Sequence, residues 1–443
     1  MAANEGTAVR VSRPRPDAVL PGFTGPRLIW VFVGSYLVIG TIWGVETVLF
    51  PTYALALGAN TAQVGLVQAA LGLGLIVAAV PAGLLVDRCG GRVLYVLGAF
   101  GMPLVYLSMA ATRSPSLLVL SGTAASALAT LTMVATNSAF YAHLDELGRG
   151  RTGWYKGTLS IGLSLTGPLG GGLLIAWLGY RPTFWVIAAA WLPPGLLALY
   201  SLRTGRPSRA RTGGRETAGP LRVEVVRKVH AVLASRGLFG ATVTEGVGIA
   251  ALTVSTSFIA ALVVRSLGGT AQDVGLALAL EGIGYGGLMF LGGGLLRLFD
   301  RRALLVAGFV ASAAGFGTFA VSGGTVPVGI GSAVLGAGLG VLGLTNIASL
   351  ADVDLDKGTV AGVHGLSMGV FSFVAPVLAG LLGRAWGLRA MFATVAGAFA
   401  VWVLAVGAAR VHPPRRGRRR PAADPAELPT TDGRLVCVEG RSG

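Results

Sequence analysis

Three carboxylic acids lie inside otherwise apolar stretches of this sequence: Glu46, Glu245 and Glu281. No lysine or arginine stands in the centre of those stretches, so none of the three has an obvious counter-ion. A charged carboxylate in the middle of a bilayer costs about 2.5–3.5 kcal/mol on insertion scales. The neutral acid is cheaper to hold there, and a group that alternates between the two forms carries a proton or binds a cation. The competing role is a neutral acid hydrogen-bonded in a packed interface, or one near enough to a helix end to reach water. Tyr36 and Trp43 are seven residues apart and share a helix face near Glu46, and Tyr285 follows Glu281 by four. Such faces suit amphipathic or cationic organic molecules, although aromatic residues at helical spacing also serve packing. Asn137 and Asn346 are amides in apolar surroundings and need partners, which a cavity ligand or a neighbouring helix can supply. His364 fits a hydrogen-bonded core position better than a ligand. No metal-ligand cluster, phosphate loop or nucleophile–base set appears, so no cofactor, no metal and no enzymatic reaction is expected.

The elements that must position these groups are membrane helices. Mean hydropathy is +0.71 and only 12% of the 443 residues are charged, against about 25% in a soluble domain. Twelve apolar runs reach spanning length, near residues 28–50, 62–86, 93–112, 116–144, 152–178, 183–202, 238–264, 273–298, 303–322, 326–351, 359–383 and 389–411. The chain divides into a polar tail (1–27), a first six-helix half (28–202), a central loop (203–236), a second half (237–411) and a basic tail (412–443). Within the loop, Pro220–Ser235 has apolar residues at helical spacing with bases between them, the pattern of a helix lying on a membrane surface. The first 27 residues hold no apolar core and read as a cytoplasmic tail, not a cleaved signal. Cys89 and Cys437 make neither a disulfide framework nor a metal site.

Charge sets the orientation. With both termini cytoplasmic, only Arg113, Arg181, Arg265, Arg384 and Arg389 of the 35 lysines and arginines fall outside, which leaves 30 inside. The net charge of +16, including the run Arg415 to Arg420, therefore reads as an anchor on anionic lipid and not as nucleic-acid binding. The halves also repeat. Leu57-Gly58 with Ala62-Gln63-Val64-Gly65-Leu66 is echoed by Leu267-Gly268 with Ala271-Gln272-Asp273-Val274-Gly275-Leu276. Gly83 matches Gly293, Thr136-Asn137 matches Thr345-Asn346, and Gly167-Pro168 with Gly172 matches Ala375-Pro376 with Gly380. Two parallel repeats place a substrate site near mid-membrane between them.

The second and third runs are joined by Gly83-Leu84-Leu85-Val86-Asp87-Arg88-Cys89-Gly90-Gly91-Arg92, an acid followed by bases at a helix end. The carboxylate can pair with the arginines or cap a neighbouring helix, and the bases hold the turn at one membrane face. This stretch resembles the G-x-L-a-D-R-x-G-R-R signature of the major facilitator superfamily. Gly83, Leu85, Asp87, Arg88, Gly90 and Arg92 match, while Gly91 replaces a usual base and Val86 a usual small residue. The resemblance implies an all-α membrane protein of twelve transmembrane helices in two six-helix pseudo-repeats, working as a monomer. It also implies that Gly83, Asp87, Arg88, Gly90 and Arg92 form a conformational-switch motif. Phe50-Pro51-Thr52-Tyr53 and Gly167-Pro168-Leu169-Gly170-Gly171-Gly172 are similar to elements of the multidrug proton-antiporter branch. There, Gly167, Pro168, Gly171 and Gly172 would shape a helix packed across the half interface. That branch carries an arginine in helix four, and none stands near Ser121-Gly122.

The expectation is a secondary transporter in the cell membrane, exporting apolar or amphipathic molecules against protons by alternating access. Its partners are a small-molecule substrate, protons and lipid. Glu46, Glu245 and Glu281 are its proton-coupling candidates; Tyr36, Trp43, Asn137, Tyr285 and Asn346 are its cavity candidates. An uptake permease for a metabolite, or a transporter-like sensor that transports nothing, are the alternatives.

Overall fold

The computed structural model describes residues 26–89, 91–142, 152–201, 236–351 and 357–408. The polar tail, the surface helix expected at Pro220–Ser235 and the basic tail lie outside the described residues, as does Gly90. Twelve helical spans run through the described residues. They are α1 (Pro26–Ala56), α2 (Thr61–Cys89), α3 (Gly91–Ala111), α4 (Pro115–Ala142), α5 (Thr152–Ile161, a π-helical turn Gly162–Thr166, then Gly167–Leu178) and α6 (Tyr180–Ala190 and Leu192–Ser201). The second set is α7 (Arg236–Ala261 and a π-helical turn Leu262–Ser266), α8 (Ala271–Leu298), α9 (Arg301–Val321), α10 (Thr325–Ala351), α11 (Lys357–Trp386) and α12 (Leu388–Ala408). Eleven spans, all but α6, are long and apolar enough to cross a membrane, so this is a multi-pass membrane protein.

The turns after α1, α3, α5, α7, α9 and α11 are short and lie at one end of the bundle, the short-turn face. Local chemistry builds them twice over. Gly58 and Gly268 end α1 and α7 at φ of +82° and +67°, a backbone region open to glycine at no steric cost. Each following helix starts with a reciprocal cap. The Asn60 amide N–H donates to Gln63 Oε1 at 2.8 Å and the Gln63 N–H to Asn60 Oδ1 at 3.0 Å. Before α8, the Thr270 N–H donates to Asp273 Oδ2 at 2.7 Å and the Asp273 N–H to the Thr270 hydroxyl at 3.4 Å. Four orphan donors are thereby satisfied, which explains the repeated sequence around Gln63 and Asp273.

Within the first half α2 packs on α4, α3 on α4 and α6, and α1 on α5. Within the second, α8 packs on α10, α9 on α10, and α7 on α11. Phe309, Phe316 and Phe319 of α9 stack against Phe392, Phe399 and Trp402 of α12. The halves meet chiefly where α2 crosses α11 and α5 crosses α8. Glycine and proline control both crossings. A side chain at Gly65 would collide with the Pro376 carbonyl oxygen, and one at Gly275 with that of Pro168. Gly172 and Gly380 repeat the device: a Cβ there would lie 2.9 Å from the Ala271 oxygen and 3.1 Å from the Thr61 oxygen. All four contacts lie toward the short-turn face. At that face the Arg265 guanidinium also donates to the Ala59 carbonyl across the halves.

Two spans differ from the sequence-based outline. The fifth run is not one regular helix, because Pro168 has no N–H to give the carbonyl of Ser164, four residues back. The chain widens into the π-turn Gly162–Thr166, and Gly282 of α8 lies against the freed Ser164 oxygen. The sixth run breaks at Trp191, ahead of Pro193 and Pro194, which sit in the first turn of the second piece where a missing N–H costs little.

Candidate functional site

The two crossings leave space on their inner side. A central cavity of about 260 Å³ is lined by α1, α2, α4, α5, α7 and α11, with Met102 from α3. Its wall is mainly apolar, including Leu71, Leu75, Met133, Leu163 and Met368, with Trp43 alongside. Two cavities of about 250 Å³ flank it. One lies in the first half among α1, α4 and α5 and shares Trp43 and Met133. The other lies in the second half among α7, α8, α10 and α11 and shares Met368. Shared walls make the three neighbouring compartments of one site.

Glu46 reaches the central cavity and is 92% removed from solvent (8% exposed). The Tyr106 hydroxyl of α3 donates to its Oε1. Tyr106 itself is fully buried, so the acid is held by a rigid neutral donor in place of a base. The first flanking cavity gathers Tyr36, Trp43 and Asn137, with the Tyr36 hydroxyl donating to Asn137 Oδ1 at 3.3 Å. The second gathers Glu245, Tyr285 and Asn346. Asn137 and Asn346 thus occupy equivalent places in the two halves, and Glu245 takes the place that Tyr36 has in the first. The Asn346 Oδ1 is buried without a hydrogen-bond partner among the described residues.

Glu281 is apart from the three cavities. It is 2% exposed, and Oε1 accepts the Ser255 hydroxyl of α7 at 2.7 Å. Its Oε2 is buried with no partner among the described residues. Gly336 of α10 presses on its backbone, where a Cβ would overlap the Glu281 carbonyl. Ser255 is the repeat counterpart of Glu46, so each half carries one buried acid at that level, supplied by α1 in the first and by α8 through Ser255 in the second.

The antiporter-like element lies at the α5 contacts. Gly167 meets Gly44 and Thr41, Gly171 meets Val45, and Gly172 meets the start of α8. Two of these contacts are therefore with α1, inside the first half. In α8, Gly282 is a contact with α5, whereas a Cβ added at Gly286 would meet nothing within 4 Å. Of the switch motif, Gly83, Asp87 and Arg88 lie at the end of α2, the side chains of Asp87 and Arg88 outside the described set, as is that of His364. Arg92 begins α3 and donates to the Leu199 carbonyl of α6 at 3.1 Å.

Sequence reasoning missed Tyr106, Ser255, Gln68, Met133 and Met368. Gln68 carried a signal: it sits three residues after Gly65 and four before Gly72, on the α2 face that meets α11. The others, Tyr106 included, carry no signal in the sequence until the helices are packed.

Two halves crossing on glycine–proline contacts around a shared cavity agree with the comparison to known proteins. The sequence matches the Major Facilitator Superfamily over residues 32–256 and 246–439. The chain belongs to that superfamily. A chloramphenicol resistance protein of Streptomyces lividans is 32% identical over 290 residues, 64% of this chain and 70% of that protein. The nucleoside transporter NupG superposes with a TM-score of 0.70 at 14% identity, covering 86% of this chain and 98% of that one. A bacterial homologue of the human lysosomal transporter Spinster, inward-facing and occupied, gives 0.67 at 14% identity over 86% and 95%. At such identities the likeness shows the fold alone. Family and fold are those of major facilitator transporters, and a small-molecule substrate and a membrane follow from them.

Proposed function

We propose that this major facilitator protein exports apolar or amphipathic small molecules from the cytoplasm in exchange for protons, by alternating access. The observation that carries the reading is Glu46, an acid in the wall of an apolar central cavity, bonded to Tyr106 and to no base among the described residues. An acid so placed can exchange a proton with the cavity, and its charge state changes what the cavity holds. The chloramphenicol resistance protein of Streptomyces lividans supports export as the direction. The arginine and lysine distribution supports a cell-membrane orientation with both termini cytoplasmic and the short-turn face outside. The moving bodies are the halves 28–202 and 237–411 of a monomer, and Asp87 with its neighbouring bases governs their exchange. Glu245 and Glu281 are secondary proton candidates, the first beside a cavity, the second sealed from one.

Each proton moving inward supplies about 2.3 kcal/mol per 100 mV. At about 1.4 kcal/mol per tenfold, that sustains a gradient of roughly 40-fold for a neutral substrate exchanged one for one. The test is expression in a drug-sensitive host with a panel of antibiotics, dyes and quaternary amines, and uptake into everted vesicles under an imposed pH gradient. Wild type should confer resistance and accumulate compound, and Glu46→Gln should retain downhill exchange but lose uphill transport. Full pH-driven transport by Glu46→Gln refutes the coupling role. Accumulation of labelled sugars or organic acids inside cells, with no export, replaces the reading with uptake.

A further inference from the structure

The polar groups of the central cavity are not equally available to a ligand. Thr47 donates to the Gly44 carbonyl at 2.7 Å, Thr130 to Ser126 at 2.8 Å and Thr253 to Ile249 at 3.0 Å. Ser126 donates to the Leu71 carbonyl, and Glu46 accepts from Tyr106. Gln68, Ser372 and Trp43 line the same cavity, and their polar side-chain groups have no such bond among the described residues. Gln68 is only 9% exposed and stands in the cavity wall. An amide in an apolar wall without a protein partner is free to bond whatever occupies the cavity, water or ligand.

Placement gives these groups a further property. Gln68 is on α2 and Ser372 is on α11, one from each half. Gly65 crosses Pro376 one turn to one side of them, and Gly72 crosses Ser372 and Phe373 at the other. Ser372 therefore lies within about one helical turn, roughly 5.4 Å, of the level of Gln68. The mirrored α5–α8 crossing has Leu278 where α2 has Gln68, so the repeat does not demand an amide there.

We propose that Gln68 and Ser372 form a polar clamp spanning the two halves, which binds an uncharged substrate bearing an amide or hydroxyl group. The substrate's apolar body rests against Trp43, Met133 and Met368. An amide side chain offers both donor and acceptor whichever way it is turned, so it reads a neutral amide or alcohol and gains nothing from a cation lacking both. Because its two ends are on different halves, a bound substrate ties them together. This deepens the exporter reading and rests on the central cavity being its site.

The test uses the full chain in lipid nanodiscs with two probes: chloramphenicol, a neutral amide and diol, and tetraphenylphosphonium, a cation with neither donor nor acceptor. Gln68→Met keeps the shape and removes the hydrogen bonds; it should weaken chloramphenicol binding about tenfold and leave the cation within twofold. Ser372→Ala should weaken chloramphenicol a few-fold, and Gln68→Asn should recover part of the loss. Unchanged cation binding certifies that each variant is folded. Equal weakening of both probes, or unchanged chloramphenicol binding in Gln68→Met, overturns the clamp and leaves the exporter reading standing. So does a wild type that binds and exports the cation but no neutral amide. A wild type that binds and exports neither overturns both.

Discussion

The glycines at the half crossings make a quantitative prediction about conformation. Gly65→Ala and Gly275→Ala each set a methyl group onto a proline carbonyl oxygen of the other half, Pro376 and Pro168 respectively. Ordinary contact needs about 3.5 Å, so α2 must part from α11, or α5 from α8, by roughly an ångström at that level. Overpacking of this kind costs about 1–3 kcal/mol. The cost falls only on the arrangement in which the short-turn face is shut. The gain in helix propensity from glycine to alanine, about 1 kcal/mol, is present in every arrangement and drops out of the comparison. Each substitution should therefore move the equilibrium about 5–150-fold away from the shut arrangement. The two sites lie on separate crossings, so their effects should add. Spin labels at Arg113 and Gly323, in exposed short turns of the two halves, read the separation of the halves at that face. The variants should add a longer-distance population, larger in the double variant, and slow transport. Gly170→Ala and Gly287→Ala are the controls, since nothing lies within 4 Å of a Cβ at either. A distance distribution unchanged in Gly65→Ala and Gly275→Ala refutes the argument, as does an equal change in the controls.

Arg265→Leu removes the guanidinium bond to the Ala59 carbonyl. The arginine is exposed, so the same label pair should register a smaller shift, worth about 1 kcal/mol or less. Ser255→Ala leaves both oxygens of the buried Glu281 without a partner; thermal unfolding in detergent should show a loss of about 1–3 kcal/mol, largely restored by adding Glu281→Leu. A Ser255→Ala protein as stable as wild type contradicts the role given to that bond. Asp87→Asn, at the end of α2, should cut transport strongly yet leave ligand affinity within a few-fold, measured by equilibrium binding and by cysteine accessibility on the two faces.

The sequence by itself determined the spans and the repeat. Hydrocarbon admits only helices and closed barrels, whose backbone bonds are satisfied internally, so about twenty consecutive apolar residues fix a helix before any packing is known. Turn chemistry is local as well. Gly58 and Gly268, and the Asn60–Gln63 and Thr270–Asp273 caps, act within four residues and were visible as repeated strings. The same holds for Pro168 and Pro376, and Pro168 sets the widening of α5 at Gly162–Thr166. Tertiary structure decided which polar groups share a space. In an apolar protein every helix face is hydrophobic, so periodicity does not tell a lipid-facing side from an inward one. Glu46, Glu245 and Glu281 looked alike in sequence, and packing separates them: one in the central wall with Tyr106, one in a flanking cavity, one sealed against Ser255. Gln68 gained its meaning only from the crossing of α2 with α11, because contact between residues some 300 positions apart is written in no local pattern.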